Sequence, residues 1–248
     1  MKEVAKDVDY IVTSLPNTQI VEGVLNDDGV FKNAAKGTCI VDTSTISPIA
    51  SKGFAEEAKK VGMKFMDTPM SGGIMGAQNA TLTFMVGAEN KDDFEHASHV
   101  LKGMGKRIFH CGGPGTGEIA KIANNLILGI QMIACSEGMA LGEKLGIDPK
   151  TLMEILSVST SSCWSITAAN PRPGNIETAP ASKNYEGGFQ VGLIRKDLAL
   201  ALECADKVGA KLEFCEEAMD YYRHLEKKGH GGKDFGYVFQ YIMKDLKI

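Results

Sequence analysis

The stretch from residue 111 to 146 leaves this chain the fewest options. It opens on Cys111-Gly112-Gly113-Pro114-Gly115-Thr116-Gly117, a turn dominated by glycine. It then runs apolar at helical spacing through Ile122, Leu126, Ile130 and Ile133. A tight turn feeding one long helix is expected. A second row, Ala134, Gly138, Gly142 and Gly146, places a small residue at every fourth position. Glycine inside a helix costs about 0.5–1 kcal/mol relative to alanine, so this row predicts another helix packed closely on that face. Lys121 and Asn125 stand four residues apart and project from one face. A first-turn lysine ordinarily snorkels to solvent. Apolar flanks and a polar amide one turn on make Lys121 a functional candidate instead.

The turn invites a second reading. Gly115-Thr116-Gly117-Glu118-Ile119-Ala120 fits G-x-G-x-x-A after a plausible strand, Arg107 to His110. A dinucleotide fingerprint needs a βαβ unit with an acidic residue about 20 positions on. A continuous helix follows here instead, so that reading of this turn is set aside.

A length of 248 residues allows one large domain or two ordinary ones. With 44% hydrophobic and 23% charged residues, the composition is that of a soluble globular protein with ample core. Lys+Arg 27 against Asp+Glu 31 gives a net charge of −4, with no basic stripe to engage nucleic acid. No membrane span is expected, because Lys121, Asn124, Asn125, Gln131 and Glu137 interrupt the central apolar segment. Cys39, Cys111, Cys135, Cys163, Cys204 and Cys215 form no C-x-x-C pair and read as reduced, buried thiols of an intracellular protein. His96 and His99 have no third ligand nearby, so they are expected on a helix surface and no metal is expected. Met1 to Asp9 is charged, shows no targeting peptide, and reads as the tail of a helix.

Strands are expected at Tyr10–Leu15, Thr38–Thr43, Lys64–Asp67, Leu82–Val86 and Arg107–His110, with helices at Asn17–Leu25, Pro48–Val61 and Asp92–Leu101. Alternation at this spacing predicts a parallel α/β sheet, whose ligands bind beyond the carboxyl ends of the strands. Leu15-Pro16, Thr43-Ser44-Thr45 and Pro69-Met70-Ser71-Gly72-Gly73 lie at such ends. Beyond Gly146 only helical periodicity remains, with helices expected near 149–158, 192–208, 212–228 and 234–244. The predicted organisation is an α/β sheet domain over 1–112, joined by a long helix to an all-helical domain over 113–248.

Four stretches together resemble the β-hydroxyacid dehydrogenase family, and within it the 3-hydroxyisobutyrate dehydrogenases. Asp67-Thr68-Pro69-Met70-Ser71-Gly72-Gly73 is similar to the family's substrate-binding D-x-P-x-S-G-G. Gly115 to Asn125 is similar to its catalytic G-x-G-x-x-x-K-x-x-N-N, and Lys196-Asp197-Leu198 to its K-D-L. Cys163-Trp164-Ser165, Asn170-Pro171, Pro173-Gly174 and Tyr185-Glu186-Gly187-Gly188-Phe189 resemble the hydroxyisobutyrate branch in particular. Ile194 departs from the methionine usual before K-D-L. The resemblance implies a Rossmann-type sheet, NAD as cofactor, a small β-hydroxyacid substrate, a homo-oligomer formed through the helical domain, and a mitochondrial location. It implies Lys121 as the acid/base residue, with Ser71, Gly72, Gly73, Asn125 and Trp164 binding substrate. It implies Leu15, Pro16, Gln19, Thr45 and Lys196 as cofactor contacts. A lysine serves as base only when burial or a neighbouring cation depresses its pKa, and Lys196 is the candidate neighbour. Ser71, Gly72 and Gly73 offer a hydroxyl and approachable backbone N–H groups to a carboxylate.

The family's glycine fingerprint on a first strand has no counterpart in these residues, so a truncated sheet lacking its first βαβ unit, with impaired activity, is expected. Two further readings stay open. One is a dehydrogenase for another small β-hydroxyacid, such as tartronate semialdehyde or glycerate derivatives, which the Trp164 loop disfavours. The other is a non-catalytic helical oligomerisation module.

Overall fold

Short apolar runs closed by polar residues become the strands. In the computed structural model, which describes residues 3–26 and 29–245, β1 (Tyr10–Thr13), β2 (Cys39–Asp42) and β3 (Lys64–Asp67) pair in parallel. Their last residues, Thr13, Asp42 and Asp67, lie side by side. All four residues of β2 are buried, as in a strand covered on both faces. Its successive side chains serve opposite layers. Ile40 packs with Val21, Leu25, Ile46, Phe54 and Phe65, whereas Val41 packs with Met66, Phe84, Val86, Ala97 and Leu101.

The sheet is mixed rather than wholly parallel. A two-residue strand β4 (Met70–Ser71) and β5 (Leu82–Gly87) pair antiparallel, β5 also meets β3 antiparallel, and β6 (Gly105–Gly112) joins β5 in parallel. The expectation of uniform direction fails between residues 68 and 81. A parallel return needs a crossover of a dozen or more residues, usually a full helix. This segment instead holds β4 and the six-residue helix α4.

The helices of this part are α1 (Thr18–Leu25), α2 (Val30–Asn33), α3 (Pro48–Lys60), α4 (Gly73–Gln78) and α5 (Lys91–Leu101). Asn17 and Asn90 cap α1 and α5 through side-chain oxygens that accept from Ile20 N and Asp93 N, each at 2.9 Å. The brief α2 and α4 escape any periodicity test. Residues 3–7 form turns rather than a helix tail, and Met1 and Lys2 of that segment lie outside the described residues. His96 and His99 are exposed on α5, and no group of three or more metal-ligating residues occurs among the described residues.

Two compact units, Met1–Ala123 and Asn124–Ile248, divide within α6 (Thr116–Lys144). The second unit adds α7 (Pro149–Val158), α8 (Trp164–Thr167), α9 (Val191–Val208), α10 (Glu213–Leu225) and α11 (Val238–Asp245). Within this chain only part of the small-residue row of α6 meets a neighbour. A Cβ added at Gly138 would meet nothing within 4 Å, and Gly146 takes φ +94° just past the helix end. Gly142 does face a neighbour, Leu152 of α7. The close approach of α9 and α10 falls instead at Gly129, outside the row. A Cβ there would lie 3.2 Å from Leu198 and 3.3 Å from Ile194, and Tyr222 Oη donates to the Gly129 carbonyl at 2.9 Å.

Two compositional expectations also change. With 29 residues and a mean hydropathy of 1.4 in its most apolar window, α6 is long and apolar enough to cross a membrane. It nevertheless buries Ile122, Met132, Ile133, Met139 and Ala140 within the protein, together with the polar Asn125 and Ser136. All six cysteines are free thiols, but only Cys39 and Cys215 are fully buried.

Candidate active site

The row of strand ends supplies the floor of the site in the first unit. Asp42 is fully buried, and its Oδ1 accepts from Thr13 Oγ1 at 2.7 Å, Ser44 Oγ at 2.5 Å and Ser44 N at 3.3 Å. Ser44 Oγ in turn accepts from Leu15 N at 2.9 Å. Ser47 N donates to Thr18 Oγ1 at 3.1 Å, tying the start of α1 to the same loop. One buried carboxylate thus locks the loop after β1 to the loop after β2. Leu15 and Thr45 are half-buried on this ledge, while Pro16 and Gln19 are exposed. The turn after β1 reads Ser14-Leu15-Pro16, so it offers no glycine cradle to a pyrophosphate.

Asp67, the next residue in the row, explains the glycine turn. It is fully buried and accepts from Gly115 N at 2.7 Å and Glu118 N at 3.0 Å. It thereby satisfies two of the amides that a helix N-terminus leaves open and places a carboxyl at the positive end of the α6 dipole. Burial pushes its pKa up to about 6, against the opposing pull of those backbone donors. Glycine is required on both sides of the carboxyl. A Cβ at Gly117 would fall on the Met85 carbonyl oxygen, and one at Gly87 would fall on the Asp67 carboxylate. The first amides of α6 therefore serve an internal carboxylate. Sequence reading grouped Asp67 with a substrate motif. Its role here is to fix where α6 begins.

That anchor sets the position of Lys121. The lysine is 8% exposed, and its Nζ donates to Ser71 Oγ at 3.3 Å. Ser71 ends β4, and Gly72 and Gly73 follow it with φ of +135° and +61°, conformations that favour glycine. Both are exposed, and a Cβ at Gly73 would meet nothing within 4 Å.

The second unit carries the remaining candidates. Asn125 is buried, donates through Nδ2 to Asp197 Oδ2 at 2.5 Å, and accepts from Asn124 Nδ2 at 2.9 Å. Lys196 Nζ lies 3.2 Å from Asp197 Oδ1. The K-D pair thus contributes an aspartate that holds the asparagine amide, a role sequence reading missed. The available signal was an aspartate next to a candidate lysine, in Lys196-Asp197-Leu198. Trp164 opens α8 with 52% of its surface exposed. The loop after it is held by Arg172, whose Nε and Nη2 donate to Glu143 at 3.1 Å each. Asp234 accepts from Phe189 N and Gly236 N at 2.9 Å each, and burial pushes its pKa up to about 6.

Residues 1–113 match the family model for the NAD binding domain of 6-phosphogluconate dehydrogenase. Residues 115–242 match the model for NAD-binding of NADP-dependent 3-hydroxyisobutyrate dehydrogenase. The chain is 46% identical over 246 residues to the probable mitochondrial 3-hydroxyisobutyrate dehydrogenase of Dictyostelium discoideum, covering 99% of this chain and 76% of that protein. It is 39% identical over 238 residues to the NAD-dependent L-serine dehydrogenase of Pseudomonas aeruginosa, covering 96% of this chain and 80% of that one. The solved 3-hydroxyisobutyrate dehydrogenase of Mycobacterium tuberculosis with L-serine matches with a TM-score of 0.91 and 34% identity, over 97% of this chain and 81% of that chain.

Proposed function

We propose that this chain, which belongs to the 3-hydroxyisobutyrate dehydrogenase family of NAD-dependent oxidoreductases, oxidises 3-hydroxyisobutyrate to methylmalonate semialdehyde, a step of valine catabolism. The observation that carries the reading is the buried Lys121 amine held 3.3 Å from Ser71 Oγ. The hydroxyl of Ser71 and the exposed backbone of Gly72 and Gly73 receive the substrate carboxylate. Lys121 Nζ then takes the proton of the β-hydroxyl. Asn125, one turn along α6, orients that hydroxyl: of the two N–H groups and two lone pairs of its amide, one N–H goes to Asp197 and one lone pair to Asn124, which leaves one of each for substrate. NAD, when bound, supplies the hydride acceptor. Leu15, Pro16, Gln19, Thr45 and Lys196 are the residues that would contact it.

L-serine is the second substrate to weigh, because relatives at 39% and 34% identity are named for it or were solved with it. It is also a β-hydroxyacid, with the same carboxylate and hydroxyl to hold. These 248 residues hold no glycine fingerprint after a first strand, and a pyrophosphate ordinarily rests on that turn and the helix behind it. The polypeptide of these residues alone should therefore bind NAD weakly and turn over slowly. Titrating NAD into it, then assaying 3-hydroxyisobutyrate against L-serine at saturating NAD, tests both points. Micromolar NAD affinity would overturn the first, and a higher kcat/KM for L-serine the second. If NAD does not bind and neither acid is oxidised, the non-catalytic module is the better reading.

The helical unit is the proposed oligomerisation surface. Its support is a set of large exposed apolar side chains there, among them Leu141, Leu145, Val158, Val208 and Phe214. Gly138 lies on α6 with open space around it. Gly138→Leu should therefore leave the unfolding midpoint nearly unchanged while lowering the sedimentation coefficient. An unaltered sedimentation profile would remove this face from the interface. A mitochondrial location is proposed from the relatives' names.

A further inference from the structure

We propose that Cys135 and Cys163 are a peroxide-sensitive pair that closes reversibly into a disulfide, cross-linking α6 to the loop in front of α8. Their sulfurs lie 3.5 Å apart in thiol–thiol contact, although 28 residues separate them in the chain. Both are free and half-buried. The other thiols with a recorded partner behave differently. Cys39, Cys111 and Cys215 donate to the backbone carbonyls of Gly37, Phe109 and Leu198.

Bonding requires the sulfurs to close to about 2.0 Å. Cys135 is fixed on a long helix, so the adjustment falls to Cys163, which follows the exposed Ser161 and Ser162 and precedes the half-exposed Trp164. Burial and the neighbouring thiol push the Cys135 pKa up, which disfavours its thiolate and leaves the first attack to Cys163, next to the exposed Ser161 and Ser162. In the first step the Cys163 thiolate attacks one oxygen of a hydroperoxide. An S–O bond forms, the O–O bond breaks, and hydroxide leaves and is protonated to water. The sulfur is oxidised by two electrons and the peroxide is reduced. Cys135 sulfur then attacks the sulfenic sulfur of Cys163. The S–S bond forms, the S–O bond breaks, and the departing hydroxide takes the Cys135 proton as a second water. Two thiols and one hydrogen peroxide thus give one disulfide and two waters. The cross-link fixes the residue immediately before Trp164 onto α6 and stands independently of the reaction proposed above.

The experiment treats the native 248-residue chain with low hydrogen peroxide, alkylates it with iodoacetamide, digests it without reductant and maps cysteines by mass spectrometry. The expected product is a single linked peptide pair joining Cys135 to Cys163, with alkylated Cys39, Cys111, Cys204 and Cys215. Dithiothreitol should restore both thiols. The oxidised chain should unfold at a higher temperature, because the link shortens the unfolded chain's freedom. In Cys135→Ser the link should vanish and Cys163 should react with dimedone as a sulfenic acid. Cys163→Ser should show neither link nor adduct at that site. The proposal is overturned if Cys135 and Cys163 are both alkylated after a peroxide dose that oxidises other cysteines. It is equally overturned if Cys163 links to several cysteines at comparable yield, or if the pair links only after unfolding in urea.

Discussion

Lys121→Ala should lower kcat by about 10²–10⁴-fold, the usual worth of a positioned acid/base group, while leaving the fold intact. The side chain is buried against Ser71 on a helix whose first turn is held independently by Asp67, so truncation removes the amine without releasing α6. Lys121→Arg should be nearly as slow. A guanidinium stays protonated at every working pH and cannot accept the hydroxyl proton, although it preserves positive charge. The two substitutions together separate proton transfer from electrostatic attraction of the substrate. If charge alone mattered, arginine would restore turnover and alanine would chiefly raise KM. Steady-state kinetics at saturating NAD, with thermal melts as a folding control, decide it. Turnover of Lys121→Ala within a few-fold of the parent removes Lys121 from the acid/base role.

The second large effect concerns Asp67 and runs against the usual behaviour of a hydrogen-bonded carboxylate. Its folded pKa of about 6 lies above the ordinary 3.8, because burial outweighs the donors Gly115 and Glu118. Between those values the folded state keeps a proton that the unfolded chain has released. Stability therefore falls as pH rises through this window, by on the order of 3 kcal/mol, and is flat for this group above it. Asp67→Asn does not titrate. It also forfeits one of the two backbone bonds, but that offset is independent of pH. The stability of the parent minus that of Asp67→Asn should thus decline from about pH 4 to pH 6. Asp234 shares the raised value but is present in both proteins and cancels. Urea unfolding at four or five pH values provides the measurement. A difference curve that is flat, or that rises with pH, would place the charged form of Asp67 as the favoured one.

The candidate site positions could be picked out because chemistry restricts residue type locally. Lysine in an apolar helix, an amide four residues on, and S-G-G after a strand are readable without a structure. Asp67 was read as part of a motif, yet its partners lie 48 and 51 residues away, and no local pattern reports a pairing across that distance. Asp42 is a similar case. An aspartate at the end of an apolar strand was visible, but its burial and its service to Thr13 and Ser44 depend on β1 and β2 ending in register. Gly138 has no close neighbour within this chain. A small residue in a helix signals a close neighbour only if a neighbour comes, and α9 and α10 arrive at Gly129 instead.

Sequence by itself determined the sheet-then-helices order, the long α6 and the candidate residues along it, because side-chain periodicity and turn chemistry are properties of neighbouring residues. Tertiary structure alone decided the reversed direction of β5, the open face at Gly138, the thiol contact of Cys135 with Cys163, and the anchoring of α6 on Asp67. Each of these depends on which distant backbone occupies the space beside a residue. That is settled by how the sheet and helices fill their cores, and only then does a carboxylate find its amides or a glycine its neighbour.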